Sequence, residues 1–62
     1  MIITVKDKST NVTIGTINTG QSLAFDDIMH LIGAEFKSGI DGEGWYIGDI
    51  LYDEESVLIT FR

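Results

Sequence analysis

The stretch Phe25-Asp26-Asp27-Ile28-Met29-His30-Leu31-Ile32-Gly33-Ala34-Glu35-Phe36 decides the fold, because it alone carries the periodicity of a helix. At about 100° per residue, Phe25, Ile28, Met29, Ile32 and Phe36 fall on one narrow apolar stripe. Asp26, Asp27, His30 and Lys37 lie away from it. Ser22 is placed to cap the start, its hydroxyl accepting from a free backbone N–H of the first turn. Asp26 and Asp27 follow where negative charge suits the helix dipole. Gly33 costs about 1 kcal/mol inside a helix relative to Ala. Phe36 nonetheless rejoins the stripe if the helix continues, and Gly39, after Ser38, then supplies the stop. The expected helix therefore runs from near Leu23 to Lys37. The alternative ends it at Gly33 and makes Ala34-Glu35-Phe36-Lys37 a short strand.

Everything outside this stretch reads as strand or turn. Upstream, Ile2-Ile3-Thr4-Val5 is β-branched throughout, and Lys6 to Asn11 is polar and rich in turn formers. Val12-Thr13-Ile14 resumes an apolar–polar alternation that slips before Ile17, so Gly15 marks a bulge in an antiparallel hairpin. Downstream, Gly39 to Gly44 holds three glycines in six residues and reads as an exposed loop. Trp45 to Tyr52 has the aromatic and β-branched weight of one long strand, with Gly48 as a bulge or point of close approach. Asp53-Glu54-Glu55-Ser56 is a turn, and Val57-Leu58-Ile59-Thr60-Phe61 is a closing strand. The order is strand, strand, helix, strand, strand. Residues 1–62 thus make one small α+β domain, a ββαββ unit with one helix packed on one face of an antiparallel sheet.

Size and charge narrow the function classes. Sixty-two residues bury a modest core, worth roughly 3–9 kcal/mol at ordinary per-residue stability. There is no Cys, so neither a disulfide nor a thiolate metal site can add to it. A second copy of the chain is one way to bury more surface. The net charge is −6, from ten acids and four bases. Gripping a phosphate backbone or an anionic membrane needs Lys and Arg in numbers, so direct binding to nucleic acid or membrane is not expected. No apolar run approaches a bilayer span, and Met1 to Lys6 lacks the basic head and apolar core of a signal peptide. A cytoplasmic protein is expected.

The chemistry-bearing residues are sparse. His30 is the only imidazole, and it lies roughly 140° around the helix from Phe25, opposite the apolar stripe. No nucleophile elbow accompanies it. Asp26 and His30 share a helical face, but two ligands do not make a metal site. Asp41-Gly42-Glu43 lacks the alternating ligand series of a calcium loop. Gly39 to Gly44 follows the helix and carries two acids, the wrong sign for phosphate. No cofactor and no catalysis are expected, and a small enzyme or metal-binding domain is the least favoured reading.

What remains is surface. Residues 1–20 carry a net charge of +1, from Lys6, Asp7 and Lys8. Residues 21–62 carry nine acids against Lys37 and Arg62, a net of −7. Trp45 and Tyr46, adjacent in a strand, point to opposite faces, and such rings supply large, stiff contact areas. The expected function is a small acidic interaction or inhibitory module meeting a basic protein partner. Its contact residues would be Asp41, Glu43, Trp45, Tyr46, Asp49, Asp53, Glu54 and Glu55, at the two ends of one acidic hairpin. A carboxylate row of this kind can also imitate the phosphates of DNA. The alternative is a homodimeric structural or accessory protein whose interface covers the exposed sheet face, with Ile3, Val5, Leu58 or Tyr52 as the buried set.

Overall fold

The computed structural model describes residues 1–62 and contains six strands and one helix. Strands β1 (Ile2–Asp7), β2 (Thr13–Asn18) and β6 (Val57–Phe61) form one antiparallel sheet in the order β2-β1-β6. Strands β3 (Glu35–Gly39), β4 (Gly42–Ile47) and β5 (Ile50–Tyr52) form a second antiparallel sheet in chain order. Helix α1 (Phe25–Leu31) lies between β2 and β3 in sequence. The fold is α+β. It is not one sheet under one helix, and the ββαββ order is corrected to ββαββββ in two sheets.

The first hairpin follows the expected pattern. Val5 pairs with Gly15 and Lys6 with Thr13, so Ile14 is the extra residue of a bulge beside Gly15. Its strand β1 sits centrally, with Ile3 and Val5 wholly buried on one face. Opposite them on that face are Ile17 from β2, and Ile59 and Phe61 from β6. The other face is polar, carrying Thr4, Lys6, Thr16, Asn18 and Thr60, with Ile2 and Leu58 half exposed among them.

The helix is shorter than its stripe suggests. It ends at Leu31, and Gly33 takes a left-handed φ of +93°. The Gly33 amide donates to the His30 carbonyl and the Ala34 amide donates to the Met29 carbonyl. These two bonds are a Schellman closure, in which glycine takes the left-handed position without Cβ strain. Ala34, one residue on, is buried in the same core cluster as Met29, as that closure favours. Glu35 to Gly39 then leaves as a strand, so the short-strand alternative replaces the helix to Lys37. The start differs too. Ala24 is the cap residue and no side chain accepts a capping hydrogen bond, so Ser22 does not serve. Asp26 and Asp27 do occupy the first turn.

The glycine-rich segment is ordered as a hairpin: Gly39 pairs with Gly42 across the two-residue loop Ile40–Asp41. The expected long strand from Trp45 to Tyr52 is two strands. Gly48 has φ +62°, whereas Asp49 does not take a positive φ, the pattern of a type II′ hairpin loop. That reversal sends β5 back along β4, so β6 cannot pair there. It pairs instead with β1, from Ile3–Phe61 to Asp7–Val57.

One core serves both sheets. Ile3 and Val5 of β1, Ile28 and Met29 of α1, Ala34, Tyr52 of β5 and Val57 of β6 form a single buried cluster. Ile3, Val5 and Tyr52 are thus interior within one chain, and of the residues expected at a dimer face only Leu58 is exposed. Two polar clasps join the layers. The Tyr52 hydroxyl donates to Asp7 Oδ2 at 2.8 Å, tying β5 to the end of β1. The indole Nε1 of Trp45 donates to Asp26 Oδ1 at 3.1 Å, tying β4 to the helix. The molecule measures 35 × 21 × 17 Å.

Candidate functional site

The expected contact residues divide between the two faces of the β3–β4–β5 sheet and the turn that leaves it. Residues opposite one another in the register share a face. Phe36, Trp45 and Tyr52 therefore share the face turned to the helix and core, and Glu43 joins them two residues from Trp45. Glu35, Lys37, Tyr46 and Leu51 share the outer face.

Trp45 is half-buried on the inner face. Its ring meets Phe36 edge-to-face, with centroids 5.4 Å apart and planes at 74°. Tyr46 is buried, although it lies on the outer face and apart from the main core. Its ring crosses β3 where Gly39 has no side chain; a Cβ on Gly39 would overlap the ring. The Tyr46 hydroxyl donates to the Gly42 carbonyl at 2.7 Å, and the Lys37 ammonium sits 5.5 Å from the ring centre. Such a cation–ring contact draws one of the few bases onto the sheet surface. Neither aromatic residue is a freely exposed ring. Those are Phe36 and Phe61, which composition alone did not single out.

The acids fall into two groups. Asp41 and Asp49 occupy the two turns at opposite ends of β4 and line one open groove of about 540 Å³ with Lys37 and Tyr46. Glu43 is exposed on β4 and accepts from Ser38 Oγ at 3.5 Å. Asp53, Glu54 and Glu55 lie in the turn between β5 and β6, where the chain passes from one sheet to the other. Asp53 builds that turn: its Oδ1 accepts from the amides of Glu55 and Ser56, both at 2.9 Å. Glu54 instead lines an apolar groove with Leu23, Phe25, Ile28, Val57, Ile59 and Phe61. The single acidic hairpin expected from the sequence is therefore two acidic regions, one on the second sheet and one in the turn that leaves it.

The most perturbed ionisable residue was not among the expected ones. Asp7 accepts from Ser9 Oγ at 2.7 Å, from the amides of Ser9 and Thr10, and from the Tyr52 hydroxyl. The Ser9 hydroxyl, followed by that of Tyr52, holds its carboxyl down from 3.8 to about 2. Burial, and then the Asp7 carboxylate, push the Tyr52 phenol up from 10.0. The signal in the sequence is the Asp7-Lys8-Ser9 spacing of an Asx turn, which carries structure rather than catalysis.

His30 is exposed in the last helical turn, and Asp26 is engaged by Trp45. No group of three or more His, Asp or Glu side chains is placed to hold a metal ion. No helix is long and apolar enough to cross a membrane. Comparison with protein-family models, curated proteins and solved structures found no match.

Proposed function

We propose that this chain is a small, acidic, non-catalytic interaction or inhibitory module of the cytoplasm that binds a basic protein. One observation carries the reading. All nine carboxylates of residues 21–62 are exposed, and only Lys37 and Arg62 oppose them. Such a surface raises the encounter rate of a positively charged partner and repels phosphate-rich ones. The contact region we favour is the β3–β4–β5 sheet, where Asp41 and Asp49 flank Tyr46 in the outer groove and Glu43 stands with Trp45 on the other face. Glu54 and Glu55 make a second acidic region, and Asp53 is needed for its own turn. In its sharper form, the carboxylates take the place of DNA phosphates on a nucleic-acid-binding protein.

The test is a captured basic partner whose affinity is measured at low and high salt. Raising salt from about 50 to 300 mM shortens the screening length and should weaken binding about tenfold or more. The triple change Asp41→Asn, Glu43→Gln, Asp49→Asn should weaken it comparably at low salt and leave the circular dichroism spectrum unchanged. Affinity indifferent to salt and to both acidic regions would end the electrostatic reading.

A further inference from the structure

Of the four sheet edges, that of β6 is the one left undefended. The four sheet edges differ in how they are defended. The β2 edge is broken by the Ile14–Gly15 bulge, β3 carries Glu35 and Lys37, and β5 is only three residues long. Bulges, charges and shortness are the devices that stop edge strands from recruiting partners. Strand β6 has none of them. Val57-Leu58-Ile59-Thr60-Phe61 is uncharged, β-branched or aromatic at four of five positions, and pairs with β1 without a register shift.

Its hydrogen-bonding groups are poised for a neighbour. Ile2 and Arg62 exchange both backbone hydrogen bonds, at 2.8 and 2.9 Å. Alternation then turns Thr60 and Leu58 toward β1. The amides and carbonyls of Val57, Ile59 and Phe61 are left facing the open edge. Their side chains line the apolar groove of about 280 Å³ that α1 and Leu23 complete, and Phe61 is 56% exposed.

We infer that two chains join edge to edge by antiparallel β6–β6 pairing centred on Ile59, making one continuous six-stranded sheet. The register is chosen by the chain's own chemistry. Centring on Ile59 sets Val57 against Phe61 of the second copy, so every outward amide and carbonyl of the strand is paired. It also lays the exposed Phe61 ring over the end of the groove lined by Val57. Arg62 arrives opposite Ser56 of the second copy, beside Glu54 and Glu55. One of the four bases in the chain thus meets the acidic turn that flanks the groove, twice by symmetry. The pairing leaves Asp41, Glu43 and Asp49 on the other sheet free, so it stands or falls apart from the proposed partner.

Sedimentation velocity from micromolar to millimolar protein tests the pairing, with amide exchange at both ends of the range. The expected result is a concentration-dependent rise from 6.9 kDa to twice that mass, with new protection at Val57, Ile59 and Phe61. Phe61→Lys places a charge on the edge and should weaken the dimer at least about tenfold. Arg62→Glu, at an exposed position, should weaken it several-fold, and adding Glu54→Arg should restore it. A chain that stays at 6.9 kDa throughout overturns the inference, as does a dimer whose three amides exchange as in the monomer. An Arg62→Glu dimer as tight as the parent overturns the register. Protection of those amides by an added apolar peptide, with the chain alone monomeric, would replace self-pairing by strand capture from another protein.

Discussion

Asp7 shows how one polar side chain can organise two elements at once. Its Oδ1 closes the turn after β1 through Ser9 and Thr10, and its Oδ2 receives the Tyr52 hydroxyl from the other sheet. The pH dependence follows from the two shifts. Asp7 is held below its ordinary 3.8, so its contribution to stability is complete above 3.8 and fades as pH falls toward about 2. Tyr52 is raised above 10.0, so its contribution is complete below 10.0 and fades as the pH climbs beyond it. Chemical denaturation across pH should therefore show loss of stability at both ends. Ser9→Ala should flatten the acid limb most, since the Ser9 hydroxyl is the largest cause of the Asp7 shift. Tyr52→Phe should reduce the acid limb and remove its own part of the alkaline one. An acid limb identical in all three proteins would show that this carboxylate does not contribute.

At the scale of elements, the chain reversal at Gly33 matters most. It frees residues 35–39 to become β3 and so creates the second sheet. The helix that remains is only seven residues, too short to hold itself by propensity, and it persists through the burial of Ile28 and Met29. Gly33→Ala would place a Cβ at φ +93°, and it should destabilise the fold by about 1–2 kcal/mol in a urea titration. Gly33→Asn, which tolerates the left-handed region better, should lose less. If alanine cost nothing, the helix would not be ending in the left-handed closure. Tyr46 explains the glycines of the second sheet in the same spirit. A ring laid over Gly39 supplies the cover that a glycine-rich hairpin lacks, which is why a buried tyrosine sits outside the main core.

Considered whole, the molecule combines a small core with a one-signed surface. Seven residues make the buried cluster, and the chain carries −6. Repulsion among exposed carboxylates opposes compactness and is screened by salt. Adding sodium chloride at neutral pH should therefore raise the thermal midpoint by a few degrees, before any specific partner is present. A midpoint that falls with salt would mean that attractive ion pairs outweigh the repulsion. The acids that burden the isolated chain are the ones proposed to engage a basic protein, so binding should stabilise the fold as well.

Much of this was legible in the residues themselves. The first hairpin with its bulge, the position and apolar face of the helix, the turn at Asp53 to Ser56 and the last strand all follow from local periodicity and turn chemistry. Those signals act over a few residues and need no knowledge of the rest of the chain. The end of the helix was ambiguous because Phe36 fits both a helical stripe and a strand. Burial of Ala34 in the core shared with β1, β5 and β6, which no local pattern encodes, resolved it in favour of the glycine closure. The pairing of the last strand was not legible at all. Val57 to Phe61 suits any apolar sheet, and it joins β1 because the Gly48 turn has already given β4 its partner. Likewise, the acids and aromatic residues were visible as a list. Their division between the two faces of one sheet and the turn that leaves it was decided only by that long-range pairing, because strand register carries side chains to places that no local pattern encodes.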